Sequence, residues 1–241
     1  SVPPPDTPAT PTPTNELHLW DGPISKLFID GTGKFPVRAR SGNQYILIAY
    51  HHKSNSILME PYQTKSDKHR LQAYNSIMDR LLARGHSVDL HILDNEVSAE
   101  FKHAITVERQ SKYQLVPPDM HRRNQAERAI QSAKDHFLAI LAGLDPKFPP
   151  FMWDHLLPQA ELTLNLLRQS RSNPSISAWE HYNGPFNYDA TPINPLGCRV
   201  LIHNKPATRK SWDYRARAGF NVGVSLEHYR CSKVVDAESK H

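Results

Sequence analysis

Apolar and polar positions along the first half of the chain follow two repeats, one typical of helices and one typical of strands. Residues 66–85 carry an apolar position every three or four residues, with Ser66 placed to cap the start and Gly85 placed to end the stretch, which predicts a helix. Shorter apolar or alternating runs on either side of it predict β-strands. The predicted strands cover residues 26–30, 44–50, 55–62 and 87–94.

The pattern beyond residue 94 continues this alternation and then becomes helical. A short helix, a strand closed by two prolines and two long helices follow, and Pro158 is expected to kink or shorten the last helix. These predicted elements cover residues 98–110, 112–116, 121–143 and 151–170. Strands followed by alternating helices and strands favour an α/β fold, in which helices flank a mixed sheet.

The two ends of the chain differ from this central region. Six prolines within the first thirteen positions predict a disordered start. From about residue 197, short apolar runs around glycines predict a small β-rich module, with strands near 198–204 and 218–231. The regions that we expect are a Pro/Thr-rich linker (1–20), an α/β core with its following helices (21–185) and a basic β-rich module with its tail (186–241).

Basic charge is concentrated in the predicted C-terminal module. The 241 residues carry a formal net charge of +5, whereas residues 197–233 alone hold eight Lys and Arg against two acids. Such a surface suits a polyanion, most often nucleic acid, although a solvated basic face would give the same count. Apolar runs too short for a bilayer and two cysteines without a CxxC pair argue against a membrane span, a disulfide scaffold and a structural zinc site.

Carboxylates stand at the ends of two predicted strands and near the start of one predicted helix. Asp30 and Asp94 each follow an apolar strand, and polar groups gather at strand ends to form sites in α/β sheets, although aspartate is also a common turn residue there. Glu127 could be a ligand, or it could form a capping box with Asn124. Local pattern alone leaves both interpretations open. Other acids nearby in sequence are Glu96, Glu100 and Glu108.

Longer motifs around the three acids resemble a known family. Asp30 lies in "FID", Asp94 in "LDNEVSAEF" and Glu127 in "RRNQAER", with 32 residues between the last two acids. These strings, together with "QLVPPDMHRRNQAERAI", "WDHLLPQAELTLNLLRQSRSNP" and "EHYRC", resemble the integrase of Copia-type LTR retrotransposons from about residue 26 to residue 235. That family belongs to the DDE group of ribonuclease H-like recombinases.

The sequence departs from the commoner form of that family beside the acids rather than at them. It lacks the "GG" that follows "DN" and the glycine that follows Asn124. The family's amino-terminal zinc-binding His/Cys module has no counterpart in these residues, so the resemblance makes the proline-rich start the linker that precedes the core. It also implies a ribonuclease H-like mixed sheet.

The resemblance implies a two-metal site for polynucleotidyl transfer. Asp30 would bridge two Mg²⁺ ions, Asp94 would hold one of them and Glu127 the other, and Mn²⁺ could substitute. The 3′-hydroxyl of an element's DNA end would attack a phosphodiester of target DNA. The partners implied are DNA ends, target DNA and further copies of this chain, without a membrane. The place of action implied is the nucleus, reached by way of cytoplasmic particles.

Polar and basic residues near the acids and in the basic tail are the expected DNA contacts. Helical spacing puts Gln131 and Lys134 on the face of Glu127, and the resemblance implies that this face contacts the DNA end. A solvated helix position is the alternative for Lys134, and a turn residue is the alternative for Asn95. The residues that we expect to contact DNA are Asn95, Arg123, Gln131, Lys134, Arg209 and Lys210.

Three other functions remain to be weighed against an active integrase. An inactive or domesticated copy would bind nucleic acid without catalysis. A ribonuclease H-type nuclease is disfavoured because helix 66–85 offers no glutamate, and a purely structural polyprotein fragment would make the matched acids a coincidence. The tryptophans at 153, 179 and 212 are expected to pack within the core or the module rather than to stack on bases.

Overall fold

Five strands form one mixed sheet in the part of the chain that the computed structural model describes, which is residues 24–94, 97–116, 125–208 and 210–237. The strands are β1 (Lys26–Gly31), β2 (Tyr45–His51), β3 (Ser56–Tyr62), β4 (Leu90–Leu93) and β5 (Lys112–Leu115). Their order across the sheet is β3-β2-β1-β4-β5. The first three strands pair antiparallel, whereas β4 is parallel to both β1 and β5.

Helices cover both faces of this sheet. They are α1 (Asp67–Leu82), α2 (Ala99–His103), α3 (Gln125–Ala142), α4 (Leu157–Leu167) and α5 (Ala178–Asn183). Alternate strand residues point to opposite faces, so Phe28 and Ile92 pack with α3 and α4, while Leu27 and Leu93 pack with α1. The predicted α/β class with a helix-flanked mixed sheet is therefore confirmed.

Side chains of α4 close the outer edge of β3. Asn165 Oδ1 accepts a hydrogen bond from the Ile57 N–H at 2.8 Å, and Asn165 Nδ2 donates to the Ile57 carbonyl at 2.7 Å. Two residues further along β3, Glu161 Oε2 accepts from the Met59 N–H at 2.7 Å. Glu161 also pairs with Arg80 of α1 at 3.0 Å. An edge strand that would otherwise present unpaired backbone groups is thus capped from within the chain.

A second, three-stranded antiparallel sheet follows the helices, as the sequence predicts. It consists of β6 (Arg199–His203), β7 (Ala216–Val224) and β8 (Ser232–Asp236), with β7 in the centre. Phe220 of β7 packs edge-to-face against Phe148, with ring centroids 5.6 Å apart, and this contact joins the small sheet to the apolar layer under α3 and α4. The predicted run 218–231 overlaps β7, whereas β8 lies beyond it and was not predicted.

Several predicted helix and strand ends differ from those observed. The first helix ends at Leu82, and Ser66 precedes it without a side-chain cap, because its hydroxyl bonds with Thr64 and His69 instead. The fourth strand is shorter than residues 87–94 and begins at Leu90. The stretch 98–110 is only partly α-helical, and its second half, Ala104–Glu108, is a π-helical turn.

Pro158 starts a helix rather than kinking one. Residues Pro150–Leu156 form a 3₁₀ helix, and α4 follows directly with Pro158 as its second residue. In the first turn of a helix the missing proline N–H has no intrahelical partner to lose, so the ring is tolerated there. Of the two expectations for Pro158, the kink is not observed and the early break is, as the change from 3₁₀ to α-helix at Leu157.

The tryptophans divide between two environments. Trp153 and Trp179 are buried, as predicted. Trp212 is 100% exposed, so the expectation that it packs within the module is wrong. The predicted linker 1–20 lies outside the described residues. No helix in the described ranges is long and apolar enough to cross a membrane.

Candidate active site

The pairing of β1 with β4 brings two aspartates to the same edge of the sheet. Ile29 and Leu93 are partners in this parallel pair, so Asp30 and Asp94 occupy the next position of the register. Asp30 lies two residues after Phe28, and Asp94 lies two residues after Ile92, so both aspartates are on the sheet face that packs against α3. Both line the same cleft under α3. Asp30 is half-buried, whereas Asp94 is exposed. The apolar strands thus place two carboxylates side by side where the sheet ends.

The third acid comes from the start of α3. Glu127 is exposed in the first turn, and the buried positions Ala133 and Phe137 hold the helix against the sheet. Gln131 and Lys134 follow it by one and two turns on the same side. The cleft has a volume of about 220 Å³ and is lined by Phe28, Ile29, Asp30, Ile92, Leu93, Asp94, Val116, Glu127, Ile130, Gln131 and Lys134.

The three acids share this cleft without forming a closed ligand set. Within the ranges that the structure describes, no three His, Cys, Asp or Glu side chains come together closely enough to hold one metal ion. Asp30 and Asp94 are the nearer pair, since the carboxylate of Asp94 raises the pKa of Asp30, and Glu127 stands at the exposed beginning of its helix. The site is therefore a carboxylate pair with a third acid facing the same space.

Burial and repulsion make the charge on Asp30 unfavourable. Burial raises the pKa of Asp30, and the neighbouring carboxylate of Asp94 raises it further. Three groups act in the other direction: the ammonium of Lys134, the backbone N–H of Gly31 and the guanidinium of Arg70. A cation placed between the two aspartates would relieve the same repulsion, and hard carboxylate oxygens are the ligands that Mg²⁺ prefers. The aspartate pair therefore offers two oxygen ligands of the kind that a divalent cation takes.

Two residues near Asp30 escaped the sequence interpretation. Arg70 lies in the first turn of α1 with its guanidinium 5.6 Å from the ring of Phe101, and the Tyr62 hydroxyl would come within 2.8 Å of a Cβ added to Gly31. No local motif marks either residue. Only the fold places them near Asp30: β3 and β1 are both neighbours of β2, and the Tyr62 hydroxyl at the end of β3 lies close to Gly31.

The expected DNA contacts fall in several places. Gln131 and Lys134 lie in the cleft, and Gln131 Nε2 donates to Asp135 at 2.8 Å. Lys210 lies in the second sheet's first connection, far along the chain from the three acids, where its backbone N–H donates to Asp213 at 2.8 Å. Asn95, Arg123 and Arg209 lie outside the described residues. So does Asn124, and the capping-box alternative for Glu127 stays open.

Comparison with solved structures shows the fold. A chain from the simian T-cell lymphotropic virus intasome, solved with the PP2A regulatory subunit B56 gamma, aligns with a TM-score of 0.52 at 14% identity, over 90% of this chain and 77% of that one. The mixed sheet with flanking helices is the ribonuclease H-like fold of integrase cores, followed by a separate three-stranded sheet.

Isolated integrase cores also align over shorter stretches. The BIV integrase core aligns at TM-score 0.47 and 14% identity, over 65% of this chain and 92% of that one. The HTLV-2 core, solved with magnesium, aligns at 0.46 and 16%, over 68% and 97%. No protein-family profile matches the sequence, and no curated protein is similar to it at a significant level.

Proposed function

We propose that this chain is an integrase that catalyses Mg²⁺-dependent DNA strand transfer, and that it comes from a Copia-type retrotransposon. The observation that carries the proposal is the pair of aspartates on adjacent strand ends of an integrase-type sheet, with Glu127 and Lys134 in the same cleft. The matched motifs around the three acids support the Copia-type origin.

The chain's own residues would divide the work between metal and DNA. Asp30, Asp94 and Glu127 would hold divalent cations, for which Mn²⁺ could replace Mg²⁺. Bound metal would supply activation of the attacking 3′-hydroxyl and stabilisation of the leaving oxygen. Lys134 and Gln131 would bind phosphates of the DNA end and orient it along α3. Lys134 would also keep Asp30 ionised, because its ammonium lowers the pKa of that carboxyl.

The basic second sheet would supply affinity for DNA. Residues 197–233 hold eight basic side chains against two acids, and lysine and arginine contacts to phosphate carry most sequence-independent binding. A homo-oligomer acting on two DNA ends, in the nucleus, belongs to the same proposal. If deletion of this segment left DNA affinity and its salt dependence unchanged, the role of the second sheet would be wrong.

Strand transfer of a short duplex with a recessed 3′ end, measured in Mg²⁺, tests the function. The joined product should disappear in each of three variants, Asp30→Asn, Asp94→Asn and Glu127→Gln. Each variant should still fold and bind duplex DNA, because the substitution removes one ligand charge and little volume. Glu100→Gln is the matched control, since Glu100 is an exposed acid on the neighbouring helix α2 and should be dispensable. Full activity in a well-folded Glu127→Gln protein would show that Glu127 is not a metal ligand and would favour a helix-capping role.

The second candidate is a nucleic-acid-binding protein without catalysis. The exposure of Glu127 at the rim of the cleft, apart from the nearer aspartate pair, is the observation that favours it. The same assay separates the two functions, because a wild-type protein that binds duplex DNA and yields no joined product in Mg²⁺ or Mn²⁺ would support the second.

A further inference from the structure

The connection between β6 and β7 presents aromatic rings to solvent among basic side chains. We refer to this connection together with the first two residues of β7, residues 204–217, as the hairpin tip; Arg209 within it lies outside the described residues. Trp212 in this tip is 100% exposed and Tyr214 is 90% exposed. Leu201, on the strand that leads into the tip, is 80% exposed. Large apolar side chains that are this exposed and close together in the chain are typical of a binding surface.

Hydrogen bonds within the hairpin tip hold these rings in a defined loop. Asn204 closes the base: its N–H donates to the Arg215 carbonyl at 2.8 Å, and its Nδ2 donates to the Tyr214 carbonyl at 3.0 Å. Trp212 lies within a turn that is closed where the Lys210 N–H donates to Asp213 Oδ2 at 2.8 Å and the Asp213 N–H donates to the Lys210 carbonyl at 3.2 Å. Trp212 is therefore exposed from a hydrogen-bonded turn.

The charge of the hairpin tip selects the partner. Four of its described residues are Lys or Arg, namely Lys205, Lys210, Arg215 and Arg217, and Arg217 pairs with Asp236 of β8. Its one acid, Asp213, accepts a hydrogen bond from the tip's own backbone. Two copies of this surface would repel each other, and an acidic peptide would leave the two ring faces without a matching partner. A nucleic acid satisfies both features, because phosphates match the basic side chains and bases offer faces for stacking.

We propose that the hairpin tip binds unpaired nucleotides, with Trp212 and Tyr214 as the stacking platform. Base faces inside an intact duplex are covered by neighbouring base pairs, so a duplex offers phosphates to this surface but no ring faces. Unpaired bases offer both, and aromatic side chains stack on them with little sequence preference. The binding needs neither a metal ion nor the three acids, so it goes beyond strand transfer and can be measured without it.

Binding of oligo(dT) and of a duplex of equal length to the full chain, in EDTA, tests this surface. Trp212→Ala should weaken oligo(dT) binding by about tenfold to a hundredfold, with the salt slope unchanged and duplex binding nearly unaffected. Trp212→Phe should recover much of the loss, since a ring remains. Lys210→Ala should instead lower the salt slope by about 0.7. Since Trp212 is fully exposed, these variants should unfold at the wild-type temperature.

Two controls make each outcome decisive. Tyr188 is also an exposed aromatic residue, at 61%, but it lies near the far end of β7, so Tyr188→Ala should bind oligo(dT) like the wild type. Asp30→Asn should also bind oligo(dT) normally, so loss of strand transfer and loss of stacking are separable. Equal losses on oligo(dT) and duplex in Trp212→Ala, or no loss on either, would overturn the proposal. So would a change in oligomeric state without a change in oligo(dT) affinity.

Discussion

The closed edge of β3 depends on Asn165, whose replacement tests how far side chains of α4 stabilise the sheet. Asn165 and Ile57 are both fully buried, and they exchange two hydrogen bonds of 2.8 and 2.7 Å. Asn165→Ala leaves the Ile57 N–H and carbonyl without a partner and away from water. Each unpaired buried group costs about 1–3 kcal/mol, so the two together should lower the free energy of unfolding by about 2–6 kcal/mol.

Urea unfolding followed by circular dichroism measures this loss directly. Leu167→Ala is the control on the same helix, because Leu167 is 79% exposed and its truncation should change the free energy of unfolding by less than about 0.5 kcal/mol. If Asn165→Ala also stayed within that range, the two hydrogen bonds would contribute nothing net, and the account of the capped edge would be refuted.

Asn165→Asp separates the hydrogen bonds from the volume of the side chain. The ionised aspartate still accepts from the Ile57 N–H, but it places a buried charge against the Ile57 carbonyl. Once protonated, it can again donate to that carbonyl. The deficit of Asn165→Asp relative to the wild type should therefore shrink as the pH falls, whereas the deficit of Asn165→Ala should stay constant.

Three further predictions concern groups around the sheet. Burial lowers the pKa of His51 to about 3 and that of His91 to about 4, below the unfolded value of 6.5, so the unfolded chain takes up these protons first. The free energy of unfolding should therefore fall by about 2 kcal/mol per histidine as the pH is lowered from 7 to 5. Urea unfolding curves that coincide at the two pH values would contradict this. Because burial raises the pKa of Asp30, its ionisation opposes folding at neutral pH, and Asp30→Asn should raise the melting temperature at pH 7 by more than at pH 4 in scanning calorimetry. Gly31→Ala brings a Cβ within 2.8 Å of the Tyr62 hydroxyl and should cost about 1–3 kcal/mol. Tyr62→Phe should relieve most of that cost, and additive effects in the double variant would exclude the clash.

Elements whose apolar pattern reflects which of their faces are buried could be predicted from the sequence. β1 and β2 are continuous apolar runs because helices cover both faces of the sheet, and such runs are visible in a single sequence. The adjacency of Asp30 and Asp94 follows from the same runs, since both acids end strands. The predicted sheet class was therefore accessible from pattern alone.

Contacts between residues far apart in the chain leave no pattern in the local sequence. Glu161 and Asn165 are polar residues within a predicted helix, yet both are buried and bond with backbone groups about a hundred residues earlier in the chain. Trp212 read as a packed residue because tryptophan is usually buried, and only the length of the connection between β6 and β7 leaves it in solvent. Ser66 failed as a cap because Thr64 and His69 compete for its hydroxyl.

On the proposed function, catalysis and affinity have to be carried by different parts of the chain. The cleft gathers Asp30, Asp94 and Glu127 around Lys134, and three carboxylates repel a phosphate backbone unless cations are bound among them. The cleft alone therefore cannot hold DNA in the absence of metal. The second sheet has the opposite character, because its basic residues outnumber its acids fourfold over residues 197–233. We therefore expect the second sheet to supply DNA attraction that persists in EDTA, and metal to be needed where the acids oppose the phosphates.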